Sequence, residues 1–168
     1  NSKYVLKIIT ITNGIKNEYV SKKYIDENKT LLLPSGSSIK NSFRFNLKKK
    51  KFKIGYFGTL YKSRGVDLIL KLSKIDKKNK YFLYGDLTQV SKSNLKNVSK
   101  NLELKNHIPY RKVAAVLDKM DILLIPYVSS ITVSGDVGDI TKYTSPLKLF
   151  DYLCAGKIII CSDYDVLK

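Results

Sequence analysis

The chain has 168 residues, 31 of them Lys or Arg against 14 Asp or Glu, giving a formal net charge of +17. That length buries a core of its own and fits one domain with an appendage. The longest apolar run, near residues 122–128, falls far short of the roughly 20 residues that span a bilayer, which excludes a membrane-spanning helix.

Cys154 and Cys161 have neither metal-ligand nor secreted-framework spacing, and His107 is the single histidine. A metal site is therefore not expected, and a reducing, cytoplasmic location is. The positive excess is spread along the chain, with one dense knot at Lys48, Lys49, Lys50, Lys51 and Lys53. Such charge suits nucleic acid, anionic lipid or phosphorylated substrates, or is simply a solvated, lysine-rich composition. Only Phe52 interrupts the knot, so a nucleic-acid partner is not expected, and peripheral contact with the inner face of a membrane stays open. The chain lacks an initial Met and stops just after a strand-like run, which reads as a piece of a longer protein.

In chain order, residues 4–12 are β-rich, 14–25 suit a helix and 31–34 a short strand, ahead of a turn cluster at 35–38. Little periodicity follows, and residues 1–45 read as a connector and the edge of another domain. From residue 52 the pattern sharpens. Residues 52–57 form a strand, 58–65 a turn, and 66–73 a helix with Val66, Ile69, Leu70 and Leu72 apolar. The next strand, 81–84, ends at Gly85 and Asp86. A polar stretch leads to a short strand at 102–104, and a helix at 110–120 turns Val113, Val116 and Leu117 inward. Residues 122–125 are a continuous apolar strand closed by Pro126. A long loop, 127–143, reaches a helix at 144–156 and a last strand at 158–161. Apolar strands separated by helices imply a parallel sheet, so 46–168 is expected to be an α/β domain, Rossmann-like and doubly wound.

The helix at 144–156 has both ends written into it. Ser145 suits the N-cap, Pro146 the first helical position and Gly156 the left-handed residue after the last turn. A helix start attracts phosphate, and Lys148 adds a full positive charge where the helix dipole disfavours one. Asp151, one turn on, can accept hydrogen bonds from two sugar hydroxyls. In the turn at 58–65, Gly58 and Gly65 bracket Lys62 and Arg64, and arginine grips phosphate oxygens bidentately. Ligands of parallel sheets sit beyond the carboxyl ends of the strands. That rim gathers the turn at 58–65, Gly85 and Asp86, His107 and Ile108, and the loop into Ser145. Singly, each is equally a solvated turn or an ordinary amphipathic helix, and His107 alone is more often structural than catalytic.

Several segments come in a telling order. They are Gly58, Thr59 and Leu60 through Arg64, Gly65 and Val66; Gly85 and Asp86; residues 121–126; and Ser145 through Asp151 with Ala155, Gly156 and Lys157. Together they resemble the C-terminal, donor-binding half of a GT-B-fold glycosyltransferase of the large retaining family four. The resemblance implies transfer of a hexosyl group from a UDP- or GDP-linked sugar to a glycan or lipid-linked acceptor, with no cofactor and no obligatory metal. By position, Thr59 stands where the family commonly has Arg, and Arg64 takes the place of its diphosphate-binding Lys. Gly58, Lys62, Thr144, Ser145, Leu147 and Lys148 border the donor diphosphate, and Asp151 falls on the acid that holds the ribose. The family's other acid is here Tyr143, placed at the donor sugar. Gly85, Asp86, His107 and Ile108 would border the base. The acceptor would be brought by an N-terminal half absent from this sequence, so the piece alone is expected to bind donor and transfer little. The alternatives are a nucleotide-sugar epimerase of the same fold and a basic nucleic-acid-binding module.

Overall fold

The structure is a computed structural model that describes residues 4–40, 48–96, 98–128, 130–133 and 138–167. The expected boundary at 45–46 lies outside those residues. The first part carries regular structure of its own. Strand β1 (Ile8–Thr10), helix α1 (Asn13–Ser21) and strand β2 (Thr30–Leu32) form a β–α–β unit with a two-stranded parallel sheet. The Thr12 hydroxyl accepts the Ile15 N–H at 3.2 Å and caps α1, which is why the helix starts as soon as the strand ends.

The second part holds β3 (Lys53–Phe57), α2 (Val66–Ile75), β4 (Lys80–Gly85), α3 (Lys92–Lys96), β5 (Leu102–Asn106), α4 (Tyr110–Leu117), β6 (Ile122–Ile125), α5 (Leu147–Cys154) and β7 (Ile158–Cys161). Its sheet runs β5-β4-β3-β6-β7 and every pairing is parallel. The chain thus winds outward from β3 in one direction, returns, and winds outward in the other. That is the doubly wound order expected from the sequence.

Alternation along the strands loads both faces of the sheet. Ile54, Tyr56, Tyr81, Leu83 and Leu124 pack with Ile69 and Leu70 of α2 on one side. Phe57, Leu123 and Ile125 pack with Leu117 and Tyr152 on the other. Leu72 is 38% exposed and turned outward, while Val66, Ile69, Leu70 and Ser73 are the buried residues of α2.

The two central strands separate toward their carboxyl ends. β3 pairs with β6 only at Ile54–Ile122 and Gly55–Leu123. The Phe57 N–H, left without a strand partner there, is accepted by the buried hydroxyl of Tyr152 at 3.1 Å. A buried backbone donor without a partner is costly, so this one side chain from α5 completes the sheet at the split. Burial raises the Tyr152 pKa far above the tyrosine range, which keeps the hydroxyl neutral. Tyr152→Phe should lower stability by about 1–3 kcal/mol in urea denaturation, the cost of an unpaired buried donor. An unchanged midpoint would show that the Phe57 N–H finds another partner.

Candidate functional site

The split between β3 and β6 is the point where the winding reverses, and in open parallel sheets it forms a ligand crevice. Three segments converge on it. From β3 comes the turn 58–65, whose 3-10 helix Lys62–Arg64 is closed by Gly65 with φ of +79°. A Cβ on Gly65 would stand 1.7 Å from the Pro126 carbonyl oxygen, so only glycine lets this turn pack against the end of β6. From β6 comes the loop begun by Pro126 and Tyr127. From the other side comes the first turn of α5.

Two cations meet on one ring in this crevice. The Arg64 guanidinium carbon lies 5.2 Å from the centroid of Tyr127, and Lys148 Nζ lies 5.5 Å from the same centroid. Lys148 Nζ is also 4.6 Å from the Tyr56 centroid and donates to the Tyr56 hydroxyl at 3.0 Å. That hydroxyl donates in turn to the Thr59 carbonyl at 2.6 Å. The Lys148 stem passes over Gly58, whose φ is +141°; a Cβ there would stand 2.3 Å from Lys148 Cε. Arg64 donates from Nη2 to the Thr132 carbonyl at 2.9 Å, whereas its buried Nε has no hydrogen-bond partner among the described residues. Neither cation makes an ion pair among those residues. Burial first, and the Arg64 charge second, bring the Lys148 pKa down to about 7. Aromatic faces attract cations but replace only part of the lost hydration, so the pair offers unspent positive potential to an anion.

The other expected site residues are distributed around this crevice. Thr59 and Lys62 are exposed on the turn that holds Arg64. Asp151 accepts from the Ser37 hydroxyl at 2.5 Å and from the Tyr110 hydroxyl at 3.0 Å. Asp86 sits at the end of β4 beside Gly85, with its carboxyl held below the usual range by the Thr88 hydroxyl and N–H. His107, one strand over, lies near enough to favour the Asp86 charge, and Ile108 packs onto the core beside it. Thr144 turns back to the Ile140 carbonyl at 2.9 Å, and Leu147 is 58% exposed. The Tyr143 hydroxyl is bonded to Glu18 of α1.

The start of α5 differs from expectation. Pro146 occupies the cap position without a side-chain cap, and the Ser145 hydroxyl donates to Ser35 at 2.9 Å. The serine is drawn to the segment after β2 and so cannot reach the free N–H groups of the helix. Gly156 has the expected left-handed φ, +62°. A cavity of about 1110 Å³ lies between the two units, lined by Thr12, Tyr143, Ser145, Leu149 and Tyr164 among others; neither Arg64 nor Lys148 borders it. Among the described residues no three His, Cys, Asp or Glu side chains stand together as a metal site.

Tyr56, Tyr127 and Tyr152 were not among the residues foreseen for the site. The available signal was positional: Tyr56 lies near the end of the first core strand, and Tyr127 directly follows Pro126 at the end of the fourth.

No protein-family model matches the chain, and no curated protein does either. Solved structures do. TarM superposes with a TM-score of 0.61 at 14% identity, over 95% of this chain and 30% of TarM. The apo form of the lipopolysaccharide outer core galactosyltransferase WaaB gives 0.60 at 15%, over 95% and 43%. Sucrose-phosphate synthase from Thermosynechococcus elongatus gives 0.60 at 14%, over 95% and 41%. The fold is the Rossmann-like half of a GT-B glycosyltransferase. This chain spans well under half the length of these GT-B neighbours. At such identities the likeness speaks for the GT-B fold alone.

Lys148 gives a test of the site's electrostatics. A lysine whose folded pKa of about 7 lies below its ordinary 10.5 binds fewer protons folded than unfolded between those values. Its penalty is therefore full below about pH 7 and fades as pH rises toward 10.5. Lys148→Met should stabilise the chain near pH 6.5 by ~2 kcal/mol, a figure discounted because the residue is only partly buried, and by much less near pH 10. Denaturation midpoints at the two pH values measure this; a destabilised variant at the lower pH would contradict it.

Proposed function

We propose that this chain is the donor-binding half of a retaining GT-B glycosyltransferase of family four, and that a nucleotide-diphosphate sugar lies across the split between β3 and β6. The observation that carries this reading is the meeting of Arg64 and Lys148 on the Tyr127 ring with no ion-pair partner among the described residues. As the glycosidic bond of the donor breaks, negative charge grows on the departing diphosphate. Arg64 takes it through its Nε, which has no hydrogen-bond partner among the described residues, and Lys148 joins it beside the same Tyr127 ring, which lowers the barrier because both groups are held in place in advance. Thr59 offers no cation where the family has Arg, and the Lys148 ammonium beside Gly58 supplies that charge from α5.

Gly58, Lys62, Thr144, Ser145 and Leu147 border the diphosphate in this reading. Asp151 exchanges its Ser37 and Tyr110 partners for the two ribose hydroxyls. Tyr143, bonded to Glu18, faces the sugar, so a carboxylate reaches the family's missing acid position from α1. Gly85, Asp86, His107 and Ile108 border the base. The acceptor, a glycan or lipid-linked sugar, is presented by the other GT-B half. A galactosyltransferase among the structural neighbours, and a TarM complex that holds UDP, support the donor class.

Calorimetry with UDP, GDP and their hexose conjugates tests the proposal. At least one should bind, Arg64→Ala should weaken it at least tenfold, and Asp151→Ala should weaken the nucleotide but not inorganic pyrophosphate. Silence with every nucleotide, or undiminished binding by Arg64→Ala, would refute the reading.

A further inference from the structure

Helix α2 carries a second apolar stripe. Val66, Ile69, Leu70 and Ser73 face the sheet, yet Leu68, Leu72 and Ile75, spaced four and three apart, are 47%, 38% and 81% exposed on the outer face. Lys71, Lys74, Lys77 and Lys78 flank that stripe and its far end, all exposed. The turn after α2 also abuts the lysine knot, because the Phe52 N–H donates to Asn79 at 2.8 Å and the Lys80 N–H to the Phe52 carbonyl at 2.9 Å. The nearby acids are turned away from this surface. Asp76 accepts from the Lys78 N–H, the Asn79 amide and the Tyr81 hydroxyl, and Asp67 accepts from Asn94.

A lysine-rich composition alone would load both rims of the sheet alike. The strand-start rim takes the five lysines of residues 48–53 with Lys77, Lys78, Lys119 and Lys157 against Asp76, Asp118 and Asp121, the last paired with Lys49 at 2.6 Å, whereas the strand-end loops carry Asp86, Asp139, Asp163 and Asp165 against Lys62, Arg64 and Lys142. Complementing the negative end of α2 accounts for Lys74, not for the rest. Branched aliphatic side chains ringed by ammonium groups match a surface that is anionic outside and apolar beneath. They do not match single-stranded nucleic acid, which wants exposed aromatic faces to stack on.

We propose that the outer face of α2, with the lysine rim at its far end, docks on an anionic phospholipid surface, Leu68, Leu72 and Ile75 entering the boundary between headgroups and acyl chains. The site crevice opens at the other end of α2, next to Gly65, so a docked domain keeps that crevice in water. The proposal is independent of the donor reading.

Flotation of the 168-residue chain tests it, using neutral phosphatidylcholine vesicles and vesicles with about one third phosphatidylglycerol. The chain should float with the anionic vesicles, less so as salt rises, and stay in solution with the neutral ones. Leu72→Glu with Ile75→Glu should lower binding at least tenfold, and Lys74→Glu with Lys78→Glu should do the same, at about fivefold per lysine. Arg111→Glu with Lys112→Glu, an equal charge change on α4, should leave binding within twofold. All six positions are exposed, and far-UV circular dichroism confirms folding. Retention in the aqueous phase with anionic vesicles, equal flotation with neutral ones, or equal losses from the α2 and α4 pairs would each overturn the proposal.

Discussion

An ammonium group held between two tyrosine rings, next to a guanidinium, is the constraint on which the candidate site depends. Such a charge is poorly solvated and repelled by its neighbour, which is why the Lys148 pKa falls to about 7. The arrangement costs stability in the empty domain, a cost that a bound anion would offset in the proposed function. Strain of this kind is tolerated where function uses it.

The fold creates the place for that group. Because the winding reverses between β3 and β6, the two strands part after Gly55 and Leu123, and α5 closes the gap. One side chain of α5, Tyr152, completes the sheet by accepting the Phe57 N–H; another, Lys148, passes over Gly58 into the crevice. A Cβ at Gly58 would meet the lysine stem, so the turn after β3 and the first turn of α5 are fitted to each other. Sheet completion and the proposed anion site thus share the eight residues of α5, which ties the geometry of that site to the stability of the domain.

Much of this was legible in the amino-acid sequence. Four of the five strands of the main sheet announce themselves as apolar runs, β5 being half polar, and Gly156 takes the left-handed position expected of it. Arg64 and Lys148 could be named because charge stands out in a βα turn and in a first helical turn. Their aromatic partners could not, since Tyr56 and Tyr127 become neighbours only through the order of strands. Ser145 matches a helix cap locally, but a partner 110 residues away, Ser35, captures its hydroxyl. Leu72 fits an inward stripe and an outward one equally well; only packing against the sheet decides. The charge pattern was the least readable feature. Its excess looks even along the chain and becomes lopsided once the strands align their starting ends on one rim.

The most direct test is the distance between Lys148 Nζ and the diphosphate in a complex of the chain with UDP or GDP, from nitrogen–phosphorus dipolar recoupling on lysine-labelled protein. The account predicts one phosphorus about 4 Å from that nitrogen, the span of a charge-assisted hydrogen bond plus one P–O bond. A bound diphosphate with no phosphorus near Lys148 would contradict it.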